Sequence, residues 1–117
     1  GIRGAVILLD GEFCDVHQRS EKEIVCGAGI SLAGLCNFAK GRSLAGLEFA
    51  WGIPGSAGGA VYMNAGAYNY DMSSVVTSVS HVAPDGTFGI LSGDSLQFGY
   101  RHSAYMENGC SIVSMTL

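Results

Sequence analysis

The chain has 117 residues, of which 48% are hydrophobic and 14% charged, and its formal net charge is −4. This composition is typical of one globular domain with a modest core, and it excludes an intrinsically disordered chain. The acidic balance without a basic cluster argues against a nucleic-acid partner, and the sequence lacks the run of about eighteen apolar residues that a membrane span needs. So few charges also predict that the chain self-associates through incompletely covered apolar faces.

The first part of the chain predicts strands followed by a helix. The apolar run at residues 5–9 predicts a buried strand, residues 12–18 alternate as in a half-buried strand, and residues 23–28 predict a third strand. Ser31 is a good N-cap for the helix that should follow. The apolar face of that helix has the i, i+3, i+4, i+7 spacing, at Leu32, Leu35, Cys36 and Ala39.

Several residues with reactive or aromatic side chains are interpreted as structural. The four cysteines form no C-x-x-C pair: Cys14, Cys26, Cys36 and Cys110. We therefore predict buried free thiols rather than a zinc site or a disulfide. His17 and His81 have no second ligand at a useful spacing, so no metal is expected. Trp51 precedes a Gly-Ile-Pro turn and is predicted to fill the core.

Residues 52–68 (GIPGSAGGAVYMNAGAY) are the centre of the prediction. Glycine is favoured where the backbone takes φ > 0 or must be approached closely. Ser56 is predicted to cap a short helix, whose N-terminal N–H groups would suit an anion such as a pyrophosphate. The segment contains no charged residue and no histidine, so a ligand there would be held by backbone groups and small surfaces. The alternative is a tight helix-packing loop that binds nothing.

The remainder of the chain predicts mainly β structure. Residues 74–83 and 87–91 form the arms of a predicted hairpin around Pro84-Asp85-Gly86. One helical turn is predicted after Ser92, and residues 110–117 predict a last strand. The order of strands, helix, glycine segment, hairpin and strand indicates an α+β fold.

Two motifs carry a family resemblance. The glycine segment resembles the flavin-contacting segment of the UDP-N-acetylenolpyruvoylglucosamine reductase family, and residues 98–103 (FGYRHS) resemble its Tyr-Arg-x-Ser motif. The resemblance implies an α+β fold, namely the second lobe of a para-cresol methylhydroxylase/vanillyl-alcohol oxidase-type FAD-binding domain, with a mixed or antiparallel sheet and flanking helices. It implies that residues 1–117 form a partial domain, with an upstream flavin lobe and a downstream substrate domain outside it.

The resemblance also implies an activity. The family reduces UDP-N-acetylglucosamine enolpyruvate to UDP-N-acetylmuramate with NADPH through FAD, in the cytoplasm, for peptidoglycan synthesis. By this resemblance Arg101 is catalytic, and Tyr100 together with Arg101 binds the substrate. The cofactor residues implied are Gly52, Ile53, Pro54, Gly55, Gly58, Gly59, Ala60, Met63, Asn64, Ala65, Gly66, Ala67 and Ile112.

Alternatives stay open for two residues and for the function. Arg101 could form only a surface salt bridge, and Trp51 could stack on a flavin instead of filling the core. For the function, the competing interpretation is a different FAD-linked oxidoreductase of the same superfamily, or a non-catalytic flavin-binding remnant.

The family's proton-donating serine motif and its late glutamate are not found in this sequence, so the chain by itself is expected to be inactive.

Overall fold

The last strand of the chain lies at the centre of the main sheet. The computed structural model describes residues 11–117, and the strands of the main sheet are β1 (Val16–Gln18), β2 (Ile24–Gly27), β5 (Ser78–Val82), β6 (Phe88–Ser92) and β7 (Ser111–Thr116). Their order is β1-β2-β7-β5-β6, and each neighbouring pair is antiparallel. A separate ribbon pairs β3 (Gly66–Ala67) with β4 (Tyr70–Asp71). The strand predicted at residues 5–9 lies outside the described residues.

The two longer helices begin at serine caps, as predicted. In α1 (Leu32–Gly41), the Ser31 hydroxyl accepts a hydrogen bond from Gly34 N at 3.0 Å. In α2 (Ala57–Tyr62), the Ser56 hydroxyl accepts one from Gly59 N at 3.1 Å. A single-turn helix, α3 (Tyr105–Asn108), ends at Gly109, whose φ of +69° lies in the left-handed region that favours glycine. The sequence analysis did not predict α3.

Helices α1 and α2 bury their apolar sides in the same core as the sheet. The helical members of that core are Leu32, Leu35, Cys36, Ala39, Ala57, Ala60 and Val61. The sheet contributes Ile24, Cys26, Val79, Leu91, Ile112 and Met115. Val61 of α2 is fully buried, and burial of a valine contributes about 1.5–3 kcal/mol relative to an exposed one, so this shared core helps to keep α2 in place.

The predicted hairpin is confirmed, but two strand predictions are too long. Strands β5 and β6 pair from Ser78↔Ser92 to Val82↔Phe88. Residues 74–77 are not strand, because a 3-10 turn at Met72–Ser74 buries Met72 completely before the chain enters the sheet. Likewise a 3-10 turn at Gly11–Cys14 replaces the first half of the strand predicted at 12–18.

The interpretation of Trp51 is wrong, whereas that of His81 is confirmed. Trp51 is 45% exposed, and the Lys40 Nζ lies 5.9 Å from the centre of its ring. His81 is buried, and its Nδ1 lies 2.8 Å from the Tyr105 hydroxyl. A backbone turn can be held without burying the preceding aromatic ring, and here the core is already filled by aliphatic side chains from α1 and α2.

The cysteines that lie deepest are free thiols, as predicted. Cys26 and Cys36 are buried, and burial raises the pKa of the Cys26 thiol to about 12. Burial, followed by the nearby Glu48 carboxylate, also raises the pKa of Cys36. Within residues 11–117 no group of histidine, cysteine or acidic side chains has the geometry of a metal site. No helix in that part of the chain is long and apolar enough to cross a membrane.

Candidate functional site

The start of the glycine helix is fastened to the residues that follow β2. Ala57 N donates to Ile30 O and Gly58 N donates to Ala28 O, both at 2.8 Å, and Gly59 N donates to the Ser56 hydroxyl. These are the N–H groups that have no partner within a helix. Because each has a protein acceptor, they do not form the open anion site that the sequence predicted.

The glycines of this segment serve different purposes. A Cβ at Gly58 would lie 2.8 Å from the Ala28 Cβ and 3.0 Å from its carbonyl oxygen, so this glycine lets α2 approach the strand end. A Cβ at Gly52 would meet nothing within 4 Å, and φ at this glycine is not in the left-handed region. Packing among the described residues therefore explains Gly58 but not Gly52. A close approach to the backbone, by a ligand or by another part of the same enzyme, is a physical reason for glycine at Gly52.

A shallow cleft of about 260 Å³ joins α2 to the start of β7. Its lining residues are Ala28, Ser56, Gly58, Gly59, Tyr62, Cys110, Ser111 and Ile112. The structure thus brings Ile112 beside the glycine segment, although 53 positions (112 − 59) separate it from Gly59. None of the lining side chains is an acid, a lysine or an arginine, so backbone groups and hydroxyls are the polar groups available.

The predicted cofactor residues divide by exposure. Those on the surface are Gly52, Pro54, Gly55, Gly59, Met63 and Gly66. Those that are half-buried are Ile53, Ala67 and Ile112, and those that are buried are Gly58, Ala60, Asn64 and Ala65. The first two sets, and the buried Gly58 where it lines the cleft, can contact a ligand without a rearrangement. Ala60, Asn64 and Ala65 support the surface from behind.

The C-terminus of α2 is closed by a Schellman motif. Ala65 N donates to Ala60 O at 2.8 Å and Asn64 N donates to Val61 O at 3.2 Å. Asn64 takes the left-handed conformation with φ of +48°, as the residue after the C-cap does in this motif. The motif turns the chain sharply and leaves the Tyr62 carbonyl without a partner inside the helix.

The side chain of Asn64 joins three segments. Its amide nitrogen donates to Gly99 O at 2.8 Å and to the Asp71 carboxylate at 3.0 Å, and its oxygen accepts from Ser73 N at 2.9 Å. Asn64 is 3% exposed. Its amide is therefore used by the protein and not directed at a ligand. Sequence reasoning missed the partners Asp71 and Ser73, for which the only signal is an asparagine directly after a predicted helix end.

The Tyr-Arg motif forms the tip of a two-residue turn. Gly99 N donates to His102 O at 3.1 Å and His102 N donates to Gly99 O at 3.2 Å, with Tyr100 and Arg101 between them. Tyr100 is 91% exposed. The carbon of the Arg101 guanidinium lies 5.9 Å from the Tyr100 ring centre, a cation–π contact.

Ser103 attaches this turn to the glycine helix. Its hydroxyl donates to Tyr62 O at 2.6 Å, and the residue is fully buried. Tyr62 also lines the cleft between α2 and β7. The two motifs that the sequence placed some 40 residues apart therefore meet at one point, with Arg101 two residues away from the junction.

Arg101 is available for an anionic ligand. The ion pairs with carboxylates in residues 11–117 are Arg19 with Glu23 and His102 with Glu107. Arg101 is exposed and takes part in neither pair. The surface salt bridge that the sequence left open is therefore not present in the described part of the chain.

Two of the larger cavities, of about 680 and 410 Å³, lie around the loop that follows α1. They share Ala39, Ser43, Leu44, Ala45 and Leu47. Neither is lined by α2 or by the Tyr-Arg turn. The meeting of these two elements, rather than cavity size, therefore locates the candidate site.

Comparison with known proteins agrees with this geometry. A family described as FAD binding domain matches residues 1–92. UDP-N-acetylenolpyruvoylglucosamine reductases from Lactiplantibacillus plantarum and Leuconostoc mesenteroides are each 46% identical over 116 residues, which is 99% of this chain. The crystal structure of UDP-N-acetylenolpyruvylglucosamine reductase (MurB) from Thermus caldophilus has a TM-score of 0.83 at 36% identity and covers 98% of this chain.

These matches define the class of the protein. Its α+β fold, with an antiparallel sheet and flanking helices, is that of a flavin-binding domain, and the chain belongs to the FAD binding domain family. The predicted resemblance to UDP-N-acetylenolpyruvoylglucosamine reductases is confirmed by relatives of that name. The chain spans 38–39% of the length of these two relatives and 41% of the solved chain.

Proposed function

We propose that this chain supplies one wall of the flavin site, and the catalytic arginine, of an enzyme that reduces UDP-N-acetylglucosamine enolpyruvate to UDP-N-acetylmuramate with NADPH. The observation that carries the proposal is the attachment of the Tyr-Arg turn to the glycine helix through Asn64 and Ser103. Similarity to reductases over nearly the whole chain supports it. So does an arginine that has no carboxylate partner within residues 11–117.

The cleft suits part of a flavin dinucleotide. At about 260 Å³ it is slightly smaller than the roughly 300–1,000 Å³ of typical small-molecule pockets. Gly59 offers accessible backbone in the cleft, and Ser56 and Ser111 offer hydroxyls. FAD, when bound, supplies the transfer of hydride equivalents between NADPH and the substrate. We propose that other parts of the same enzyme complete the cleft and provide the proton donor.

Arg101 is proposed to bind the enolpyruvyl carboxylate of the substrate. Its guanidinium is planar, stays charged at any working pH and can donate two parallel hydrogen bonds to a carboxylate. An arginine held in this way stabilises negative charge that builds up next to the carboxylate as the double bond is reduced. Tyr100, which is almost fully exposed beside it, is proposed as a second substrate contact. Ser103 is buried and bonded to Tyr62 O, so we assign it no proton-transfer role.

The proposal also covers the cellular setting. We propose a cytoplasmic enzyme of peptidoglycan precursor synthesis, which thereby acts in cell-wall formation, cell shape and cell division.

We further propose that the chain in isolation self-associates. Phe88 and Ile90 on the edge strand β6 are 61% and 65% exposed, and an uncovered apolar edge favours pairing with another copy. A monomer by light scattering at high protein concentration would contradict self-association.

The catalytic assignment is tested in a chimeric reductase, in which this chain replaces the matched 116 residues of the Lactiplantibacillus plantarum relative. Arg101→Ala should lower kcat/KM for the enolpyruvate substrate by about 10²–10³-fold, as loss of a group that stabilises developing charge does. The content of bound FAD should be unchanged. Arg19→Ala, which removes an exposed ion pair elsewhere, is the matched control. Equal kcat/KM for the two variants would refute the assignment.

The cofactor assignment is tested with a pair of open glycines in the same chimera. Gly52→Val should weaken FAD binding, measured by fluorescence titration, because the new side chain occupies space that a ligand needs. Gly41→Val is the control, since a Cβ there also meets nothing within 4 Å among the described residues, and Gly41 lies at the end of α1, outside the glycine segment. If both variants bind FAD as the unsubstituted chimera does, Gly52 is not a cofactor contact.

A further inference from the structure

The Tyr-Arg turn cannot hold its own position by packing. Its two tip residues are exposed, and the hydrogen bonds between Gly99 and His102 close the turn without attaching it to anything else. Arg101 also has a φ of +49°, a left-handed conformation that persists in a non-glycine residue only where the surroundings impose it. The contacts at the base of the turn must therefore set where the guanidinium lies.

Two side-chain hydrogen bonds attach the turn to the end of α2, one from each direction. Asn64, which follows α2, donates to the carbonyl of Gly99, the first residue of the turn. Ser103 donates from the residue after the turn to the carbonyl of Tyr62, the last residue of α2. Both donors are buried, at 3% and 0% exposure, whereas the two acceptor residues are exposed, so water reaches the donors less than the acceptors. We call this pair the turn clamp.

The amide of Asn64 has only one orientation that satisfies all its partners. Its oxygen must accept from Ser73 N, because an N–H cannot accept, and this places the NH₂ group opposite Gly99 O and Asp71. Ser73 lies in the 3-10 turn that buries Met72. The direction of the Asn64 amide is therefore set by this 3-10 turn, which the buried Met72 anchors, rather than by the Tyr-Arg turn itself.

We propose that Asn64 and Ser103 are positioning residues, whose turn clamp holds the Arg101 guanidinium at a fixed place beside the flavin cleft. The inference rests on the proposed function for the role of Arg101. Because the clamp already restricts the turn, Arg101 loses little conformational freedom when it binds a carboxylate. Displacement of such a group by about 1 Å can cost about 100-fold in rate. Asn64 thus acts through its side chain on the turn and not through a side-chain contact to the cofactor.

The first test measures order in the 117-residue chain and needs no activity. Asn64→Gly keeps the left-handed backbone, which glycine prefers after a helix, and removes only the amide. Ser103→Ala removes one hydroxyl and adds no volume. In the double variant, the ¹⁵N order parameters of Tyr100 and Arg101 should fall from about 0.85 to below about 0.6. Ser80→Ala, which removes a hydroxyl bonded to Ser114 O in the sheet, should leave them unchanged.

The second test asks whether the clamp acts through Arg101. In the chimeric reductase, Ser103→Ala should lower kcat/KM by about 10- to 100-fold with bound FAD unchanged. In the Arg101→Ala background the same substitution should have no further effect, because the group that it positions is gone. A purely structural role would instead lower activity equally in both backgrounds.

Either test can overturn the proposal. A turn that stays ordered in the double variant would refute the clamp, and equal losses in the two backgrounds would refute its action through Arg101. If Asn64→Gly does not fold, Ser103→Ala alone decides the first test. If Arg101→Ala has full activity while the double variant disorders the turn, the proposed function fails although the clamp exists.

Discussion

Adjacent glycines in α2 give a sharp test of how this helix is held. In Gly58→Ala the new Cβ would lie 2.8 Å from the Ala28 Cβ and 3.0 Å from the Ala28 carbonyl, and the bond from Gly58 N to that carbonyl would lengthen. Alanine is the better helix former by about 1 kcal/mol, which favours the variant. Overpacking costs about 1–3 kcal/mol and a weakened hydrogen bond about 0.5–1.5 kcal/mol, so destabilisation by about 2 kcal/mol should result.

Gly59→Ala is the control within the same turn. Its Cβ would lie 3.2 Å from the Ser56 hydroxyl, a small side chain that can yield, and Gly59 is exposed. The propensity gain is the same and the steric cost is small, so Gly59→Ala should be between as stable as the unsubstituted chain and about 1 kcal/mol more stable. With a urea m-value of about 2 kcal/mol per molar, Gly58→Ala should lower the midpoint by about 1 M, followed by circular dichroism. Equal midpoints for the two variants would refute the packing argument.

Three further predictions follow from contacts elsewhere in the chain. Ser56→Ala removes the α2 cap and should cost about 0.5–2 kcal/mol in the free energy of unfolding by urea titration; an unchanged midpoint would contradict the cap. Tyr105→Phe removes the bond to His81 and should cost about 1 kcal/mol, seen as a Tm lowered by several degrees; a Tm equal to that of the unsubstituted chain would show the bond to be unimportant. Burial raises the pKa of Cys26 from 9.0 to about 12, so the folded protein keeps a thiol proton that the unfolded chain loses in this pH range. The free energy of unfolding should therefore fall as the pH rises from about 9 to 12. The fall should be smaller in Cys26→Ala. Identical pH profiles for that variant and the unsubstituted chain would contradict this linkage.

Local chemistry was enough to predict most of the elements. The caps of α1 and α2 follow from Ser31 and Ser56, because a serine hydroxyl before an apolar periodic run satisfies orphan N–H groups. The hairpin follows from Pro84-Asp85-Gly86, where Thr87 N donates to the Asp85 carboxylate at 2.9 Å. A hydrogen bond from the Thr87 side chain, followed by this one from its backbone, lowers the pKa of Asp85. Each of these features depends on residues only a few positions apart.

Long-range pairing decided the rest of the fold and most of the site. That β7 lies between β2 and β5, and that Ile112 reaches the glycine helix, depend on partners far along the chain. The first N–H groups of α2 donate to Ile30 O and Ala28 O for the same reason. The periodicity of the sequence does not predict these bonds. The sequence showed which residues could bind a flavin and a carboxylate, but not which of them the protein uses for itself.

The glycine segment and the Tyr-Arg motif illustrate this division most clearly. By itself the sequence determined both motifs, their residue types and the family they resemble, since these are properties of short stretches. Only the tertiary structure decided that the two motifs meet, through Asn64 and Ser103, because a hydrogen bond between segments some 40 residues apart forms only once the core has brought them together.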